Sequence, residues 1–385
     1  MSQGQPIRLS PVTSLIYHPL QRVNRANCHI DVLMKIANSL HLGILMAMLL
    51  GACRATAAPA TLPAPEVLGG GATQTATPFQ ADQSIATTAL PASATPTPDP
   101  YAPMSIQALA SRSYGGELFV LQELGTAATF SRQLISYTSD GLFINGFIDI
   151  PYGEGPFPVV LVLHGYVDPE DYLVETYTAR YAAAYASAGY IVLHPNYRNY
   201  PPSDSGPNEF RVGFAIDVLN LLTIVHQFAG QPGPLEKADG ANVFLWGHSM
   251  GGGIVQRVLT TGASVNGAVL YGSMSGDERR NFEHIRDVLS DGERGLDELL
   301  VPDDALINIS PANFYDRITV PVSVHHGDID ESVPVQWSQE LCDRLVELGK
   351  EVECFIYHNM PHTFFGLNDE LFIERTLDFF ERHMQ

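Results

Sequence analysis

Residues Val243 to Gly253 read V-F-L-W-G-H-S-M-G-G-G, an apolar run that passes through Gly-His-Ser-Met-Gly into a helix-forming segment. A fold that accepts this stretch must end a buried strand, reverse the chain and start a helix within about five residues, with Ser249 on a strained turn and its hydroxyl exposed. Gly247 and Gly251 flank the turn where strand and helix cross, and a Cβ at either position would crowd that crossing. Ser249 is therefore the first candidate for chemistry.

Around this stretch the chain alternates strands and helices. Ser131 to Tyr137 and Leu142 to Ile150 alternate apolar and polar residues about Ser139-Asp140-Gly141, which predicts a hairpin. A strand over Val159 to Leu163 follows, then a helix over Tyr172 to Ala188 closed by Gly189 and a strand over Tyr190 to His194. Phe210 to Phe228 carries Val212, Ala215, Ile216, Leu219 and Leu222 at helical spacing. Strands at Val243 to Trp246 and Ala268 to Tyr271 bracket the helix after Ser249. A strand at Val320 to His326, a helix at Val335 to Leu348 and a strand at Glu353 to Tyr357 complete the series. This order predicts an α/β fold, a mostly parallel sheet with helices on both faces. Residues of about 273–310 interrupt it with the charged fragments N-F-E-H-I-R-D-V-L-S and L-D-E-L-L, read as a small cap facing a substrate, with a solvated surface excursion as the alternative.

A serine hydroxyl needs a histidine to take its proton and a carboxylate to hold that histidine in the right tautomer. In the chain order serine, acid, histidine, Asp330 lies on the loop after the strand ending at His326, and His362 on the loop after the strand ending at Tyr357. Asp328, which directly follows Gly327, reads as a turn residue; Glu331 also competes with Asp330. His358 sits at a strand end and reads as a packing residue. An oxyanion would be met by backbone amides. The strand Pro158 to Leu163 ends in His164-Gly165-Tyr166, so the amides of Tyr166 and Met250 are the expected donors. His164 and His248 read as supports for their loops. His325 and His326 are strand neighbours on opposite faces and cannot chelate one ion together, so neither a metal nor another cofactor is expected.

These motifs carry a resemblance. P-F-P-V-V-L-V-L-H-G at Pro156 to Gly165, G-H-S-M-G-G at Gly247 to Gly252, S-P-A-N-F-Y-D-R-I-T-V-P-V at Ser310 to Val322, H-G-D-I-D-E-S-V-P at His326 to Pro334 and P-H-T-F at Pro361 to Phe364 resemble the α/β-hydrolase fold. Within it they are most similar to the catalytic domain of the prolyl oligopeptidase family and its dienelactone-hydrolase-like relatives. The resemblance spans about residues 131–385 and implies a triad of Ser249, Asp330 and His362; it also implies that the Tyr166 phenol donates to the oxyanion. Two departures limit it. The large prolyl oligopeptidases carry an N-terminal β-propeller for which the segment ahead of the hydrolase leaves no room, so peptidase specificity does not follow. Dienelactone hydrolases proper use a cysteine where this chain has Ser249.

The chain of 385 residues has 42 acidic against 21 basic residues and a formal charge of −21. Phosphate binding needs a basic surface, so nucleic acid is excluded as an expected partner. Ser39 to Leu50 is an apolar stretch too short to span a bilayer but of signal-peptide length, and it ends in Leu50-Gly51-Ala52-Cys53, which resembles a bacterial lipobox. Met34-Lys35 supplies a positive start, so translation is expected to begin at Met34. The domain plan is a leader over 1–52, an Ala/Thr/Pro-rich disordered tether over 53–112 that buries too little apolar surface to order, and a catalytic domain over 113–385. Cys53 would carry lipid and hold the protein to the extracytoplasmic face of a membrane. Cys28 falls in the leader, which leaves Cys342 and Cys354 as either a disulfide or two buried thiols. The sequence supports a lipid-anchored serine hydrolase acting on small peptides or esters through an acyl-enzyme. A carboxylesterase without peptidase activity and a non-catalytic surface-binding protein on the same scaffold are the alternatives; the oligomeric state is not legible.

Overall fold

Val159 to Leu163 have no solvent exposure at all, as a run of apolar residues with no polar alternation must when both faces of its strand are covered. They lie at the centre of a nine-stranded sheet in a computed structural model that describes residues 99–385. The elements are α1 (Ile106–Ser111), β1 (Leu118–Thr126), β2 (Phe130–Ser139), β3 (Leu142–Pro151), β4 (Phe157–Leu163), α2 (Ala179–Ser187), β5 (Ile191–Pro195), α3 (Val212–Phe228), β6 (Ala238–His248), α4 (Met250–Thr260) and β7 (Gly267–Tyr271). They continue with α5 (Glu278–His284), α6 (Leu296–Leu299), α7 (Asp303–Ile309), β8 (Val322–Gly327), α8 (Val335–Glu347), β9 (Val352–Tyr357) and α9 (Gly366–Arg382).

The sheet order is β1-β2-β3-β5-β4-β6-β7-β8-β9. β1, β2 and β3 form an antiparallel meander joined antiparallel to β5, and every pairing from β5 to β9 is parallel. Because strand residues alternate faces, Val159, Leu161 and Leu163 pack with Val218, Leu222 and Val255 of α3 and α4. Val160 and Val162 pack on the opposite face with Tyr181, Tyr185, Phe372 and Phe380 of α2 and α9. The mostly parallel sheet with helices on both faces is the architecture the strand–helix alternation predicts.

Three departures from the sequence expectation bear on the packing. The helix foreseen from Tyr172 starts only at Ala179. The Tyr172 hydroxyl donates to Asn196 Oδ1 at 3.0 Å, and the Tyr177 hydroxyl pairs with His248 Nδ1. These tertiary partners hold residues 172–178 in a loop in spite of their helical composition. Strand β1 is an addition; its consecutive exposed Phe119, Val120 and Leu121, and register shifts at Val120/Gln122 and Glu123/Gly125, hide the period-2 pattern. Ordered structure also begins within the segment 53–112 assigned to the tether. Residues 102–111 form helical turns, and Ile106 and Leu109 are fully buried, Leu109 against Phe210, Phe282 and Leu306. The leader, Cys53 and residues 53–98 lie outside the described residues.

The insertion over 273–310 consists of helical pieces, α5, a π-helical turn (Ile285–Leu289), α6 and α7. Phe282, Val301, Ala305, Leu306 and Ile309 form its own apolar cluster with Phe210, Val212 and Ile216 at the start of α3. Buried charge ties it to the helix after Ser249. Arg257 of α4, 2% exposed, and Arg211 both pair with Glu278 of α5, and Arg257 also donates to the carbonyls of Ile309 (2.9 Å) and Phe210 (3.1 Å). At the far edge, Cys342 of α8 and Cys354 of β9 are joined as a disulfide, with Cα atoms 6.5 Å apart. Among the described residues no helix is long and apolar enough to cross a membrane.

Removing one member of a buried ion pair strands the others in a low-dielectric site, at about 3–5 kcal/mol. Glu278→Ala is accordingly expected to lower stability by an amount in that range in urea unfolding. A loss below about 1 kcal/mol would mean that Arg211 and Arg257 are hydrated, not held.

Candidate active site

Ser249 sits between β6 and α4 with φ 57° and ψ −117°, backbone values that a residue with a side chain adopts only when its surroundings force it. The forcing contacts are local. Its amide donates to Tyr271 O at 2.9 Å, and its carbonyl accepts from Met274 N at 3.0 Å. The crossing behind it depends on absent side chains: a Cβ on Gly251 would lie 2.2 Å from Leu163 O, and one on Gly247 2.4 Å from Gly251 O. α4 can therefore start directly over the carboxyl ends of β4 and β6, and Met250, as its first residue, has no intrahelical partner for its amide. Gly165, at the end of β4, comes to the same place; a Cβ there would lie 3.0 Å from Ser249 Cβ. The loop carrying Tyr166 thus passes beside Ser249.

Asp330 and His362 meet on the loops after β8 and β9. Asp330 Oδ2 accepts from His362 Nδ1 at 2.7 Å, and Oδ1 accepts from the amides of Ser332 and Val333, both at 2.8 Å. The His362 loop can approach because position 327 is glycine; a Cβ there would lie 2.0 Å from Met360 O. His248 connects this pair to Ser249. Its Nδ1 pairs with Tyr177, its Nε2 contacts His362 O at 2.9 Å, and the His248 and His362 rings are 4.5 Å apart. Tyr177 in turn accepts from Gly165 N at 3.0 Å.

One residue of this network escapes sequence reasoning. His326, fully buried on β8, places Nε2 3.0 Å from Asp330 Oδ2 and pairs through Nδ1 with Ser338 Oγ of α8 at 2.6 Å. Burial alone would raise the pKa of Asp330, but hydrogen bonds from His326, His362 and the Val333 amide outweigh it and hold the carboxyl well below its usual range. Asp330 is thus an ionised acceptor, which favours His362 with its proton on Nδ1. The only sequence signal for His326 was its place at i−4 from Asp330.

The competing residues go elsewhere. Asp328 pairs with His358 at 2.6 Å and accepts from Asn359 N at 2.7 Å, so it does shape the turn; His358 does not pack, its side chain being 83% exposed. Glu331 accepts from the His362 amide at 3.2 Å. Tyr166 is about half exposed, with the Arg294 guanidinium 4.7 Å from its ring centre. His164 supports its loop from below, contacting Gly165 O at 2.6 Å and Asn196 O at 3.2 Å. Among the described residues no group of three or more His, Cys, Asp or Glu is arranged to hold a metal ion.

Residues 159–352, from the central strand through the Asp330 loop, match the model of the alpha/beta hydrolase family. The chain belongs to that family. This α/β-hydrolase is 27% identical over 235 residues to the uncharacterized peptidase YtmA of Bacillus subtilis, a match covering 60% of this chain and 85% of the relative. Its fold is shared by the acylaminoacyl peptidase of Pyrococcus horikoshii, at a TM-score of 0.51 and 20% identity, over 67% of this chain but only 42% of that one. Acetyl xylan esterase 1 from Thermoanaerobacterium shares it too, at a TM-score of 0.51 and 17% identity, over 68% and 88% of the two chains. The hydrolase is thus similar in fold to a peptidase and to an esterase.

Three histidines on and around the central strands are buried, and this has a cost in acid. Burial holds the imidazole of His164 down to about 4 and that of His325 to about 3, and pushes His248 well below its usual value. An unfolded histidine titrates near 6.5. Between that pH and the folded values the unfolded chain binds protons that the folded hydrolase does not, so stability falls as pH drops through this window. The urea midpoint is expected to decline from pH 7 to pH 4, and less steeply in His325→Gln, which keeps polar atoms for Ser323 and Tyr357 but cannot charge. Equal slopes in the two proteins would refute the assignment.

Proposed function

We propose that this α/β-hydrolase is a serine hydrolase that cleaves small peptides or esters through an acyl-enzyme on Ser249. The observation that carries the reading is a histidine whose Nδ1 is fixed by an ionised, fourfold hydrogen-bonded carboxylate and whose carbonyl contacts His248, the residue directly before a serine on a positive-φ turn. Fixing Nδ1–H leaves Nε2 of His362 as the base for the Ser249 hydroxyl. Ser249 Oγ attacks the substrate carbonyl as His362 takes its proton, and the resulting imidazolium is stabilised by Asp330. His362 then returns the proton to the departing amine or alcohol, and water attacks the acyl-enzyme by the same route in reverse. The developing oxyanion would be met by the amides of Met250 and Tyr166, with the Tyr166 phenol as a further donor of the kind prolyl oligopeptidase relatives use. The peptidase name of the Bacillus relative supports amide cleavage; the triad chemistry itself serves esters equally.

A fluorophosphonate probe should label the wild type and leave folded Ser249→Ala unlabelled. His362→Ala should lose turnover on the order of 10,000-fold or more, because nucleophile and base act as a unit. His358→Ala should lose little, its ring standing in solvent beside Asp328. Labelling that survives in Ser249→Ala, or equal losses at the two histidines, would overturn the triad.

We further propose that the enzyme works outside the cytoplasm, held to the membrane by lipid on Cys53 and an Ala/Thr/Pro-rich tether. Support comes from the apolar Ser39 to Leu50 stretch running into Leu50-Gly51-Ala52-Cys53. Mass spectrometry of the mature protein should find an acylated Cys53 at its N-terminus, and Cys53→Ser should accumulate unprocessed precursor. A mature terminus at any other residue defeats this reading.

A further inference from the structure

Arg294 is the arginine of the insertion that no carboxylate holds. Arg279 pairs with Asp303, Arg280 with Glu340 and Arg286 with Asp287, whereas Arg294 forms no ion pair among the described residues. Its guanidinium lies over the Tyr166 ring instead, 4.7 Å from the ring centre. In a chain with twice as many acids as bases, an arginine left without an acid on the loop that follows β4 calls for a physical reason.

The turn that presents it is constructed. Ser290 Oγ donates to Ile285 O at 2.7 Å and accepts from Arg294 N at 3.1 Å, Glu293 N donates to Ser290 O at 2.9 Å, and Gly292 N to Arg286 O at 2.7 Å. Gly295 closes the turn at φ +84°, where a Cβ would lie 2.9 Å from Phe282 O. The backbone of Arg294 is therefore fixed to the insertion, and the insertion is fixed to α4 through Glu278 and Arg257.

The loop beneath the guanidinium is the one that runs past the candidate nucleophile: Tyr166 follows Gly165, where a Cβ would lie 3.0 Å from Ser249 Cβ, and Arg294 rests on the ring of that tyrosine. Asp168, the acid on that same loop, is engaged with its own turn, accepting from Glu170 N at 3.0 Å. A guanidinium offers a planar fork of donors matched to a carboxylate. Resting on an aromatic face uses none of them.

We propose that Arg294 forms an anion subsite that selects substrates bearing a free carboxylate a few bonds from the scissile carbonyl. The proposal rests on the serine hydrolase reading and deepens it to a substrate class. The carboxylate has two possible origins, the C-terminus of a short peptide on the leaving side or the far acid of a dicarboxylic acyl group, and the test separates them.

Two matched pairs serve: 4-nitrophenyl succinate half-ester against 4-nitrophenyl butyrate, and a blocked tripeptide acid against its C-terminal amide. Wild type should favour the anionic member of at least one pair. Arg294→Gln should reduce the anionic-to-neutral ratio of kcat/KM by about 5- to 30-fold, the range for a charge-assisted contact that is partly screened by solvent. Most of the change should appear in KM. Arg294→Lys should keep part of the ratio, and Arg294→Glu should invert it. Discrimination in the ester pair identifies an acyl-side acid, and discrimination in the peptide pair a leaving-side terminus. A wild type that labels with fluorophosphonate but shows no anionic preference in either pair overturns the subsite and leaves the hydrolase standing. Equal losses on both members in Arg294→Gln also overturn it, since Arg294 would then act only by steadying Tyr166. Absence of labelling in the wild type defeats the hydrolase reading itself.

Discussion

Helix α4 crosses the ends of β4 and β6 at backbone contact, and the geometry around Ser249 follows from that closeness. With no side chain at Gly247 or Gly251, the first turn of α4 rests on the carbonyls of Leu163 and His164. The chain between β6 and α4 then has room for a single residue in a positive-φ conformation, and that residue is Ser249. The same crossing puts the start of α4 against the end of β4, where Gly165 passes within Cβ contact of Ser249, so the serine and the segments carrying both candidate oxyanion amides derive from it. A methyl group at Gly251 would move the helix as a unit. Serine, amide and loop would then separate together, because a packed interior transmits such a displacement instead of absorbing it.

The acid half of the site is built on a different principle, the saturation of one carboxylate. Asp330 is buried, and a buried ionised carboxylate persists only if its oxygens are fully used. Two backbone amides of its own loop and two histidines accomplish this. His326 is the member that ties the arrangement to the scaffold: its other nitrogen meets Ser338 on α8, four residues before the disulfide-bonded Cys342. The carboxylate is thus referenced to a strand and a helix, and His362, on a loop, inherits a position its own segment does not define. A ring held at Nδ1 by a fixed acceptor has one orientation and one preferred tautomer, which is what a proton acceptor for Ser249 requires.

How much of this was legible depended on whether the signal was local. The strand–helix alternation and the Gly247, Ser249 and Gly251 turn were readable because apolar runs and missing Cβ atoms act within a few residues. Asp330 and His362 were readable from chain order, each lying on the loop after a short β-branched or aromatic run. The rest needed partners distant in sequence. Tyr172 and Tyr177 resemble helix residues until Asn196 and His248 claim their hydroxyls. Leu109 lies just beyond a Pro-rich stretch, and the apolar cluster of the insertion, some two hundred residues later, gives it a core to enter. His325 and His326 read only as strand neighbours that cannot chelate one metal; facing opposite sides of β8, one of the two turns toward the Asp330 loop, and it is His326.

The buried charges between α4 and the insertion bear on what the insertion is for. An apolar contact of equal size would hold two elements together at least as well, since desolvation consumes much of what an ion pair returns. What Arg257, Glu278 and Arg211 add is registry: Glu278 accepts from two guanidiniums while its amide donates to Ser310, and Arg257 reaches the carbonyls of Phe210 and Ile309, so a slip of one residue in α5 would leave several buried groups unpaired at once. Three segments distant in sequence, the entry to α3, helix α4 and the two ends of the insertion, are thereby set in one relation. For the Arg294 subsite proposed above this registry has a use: the insertion that carries Arg294 cannot shift relative to the helix that begins after Ser249 without unpairing Glu278 from Arg257 and Arg211.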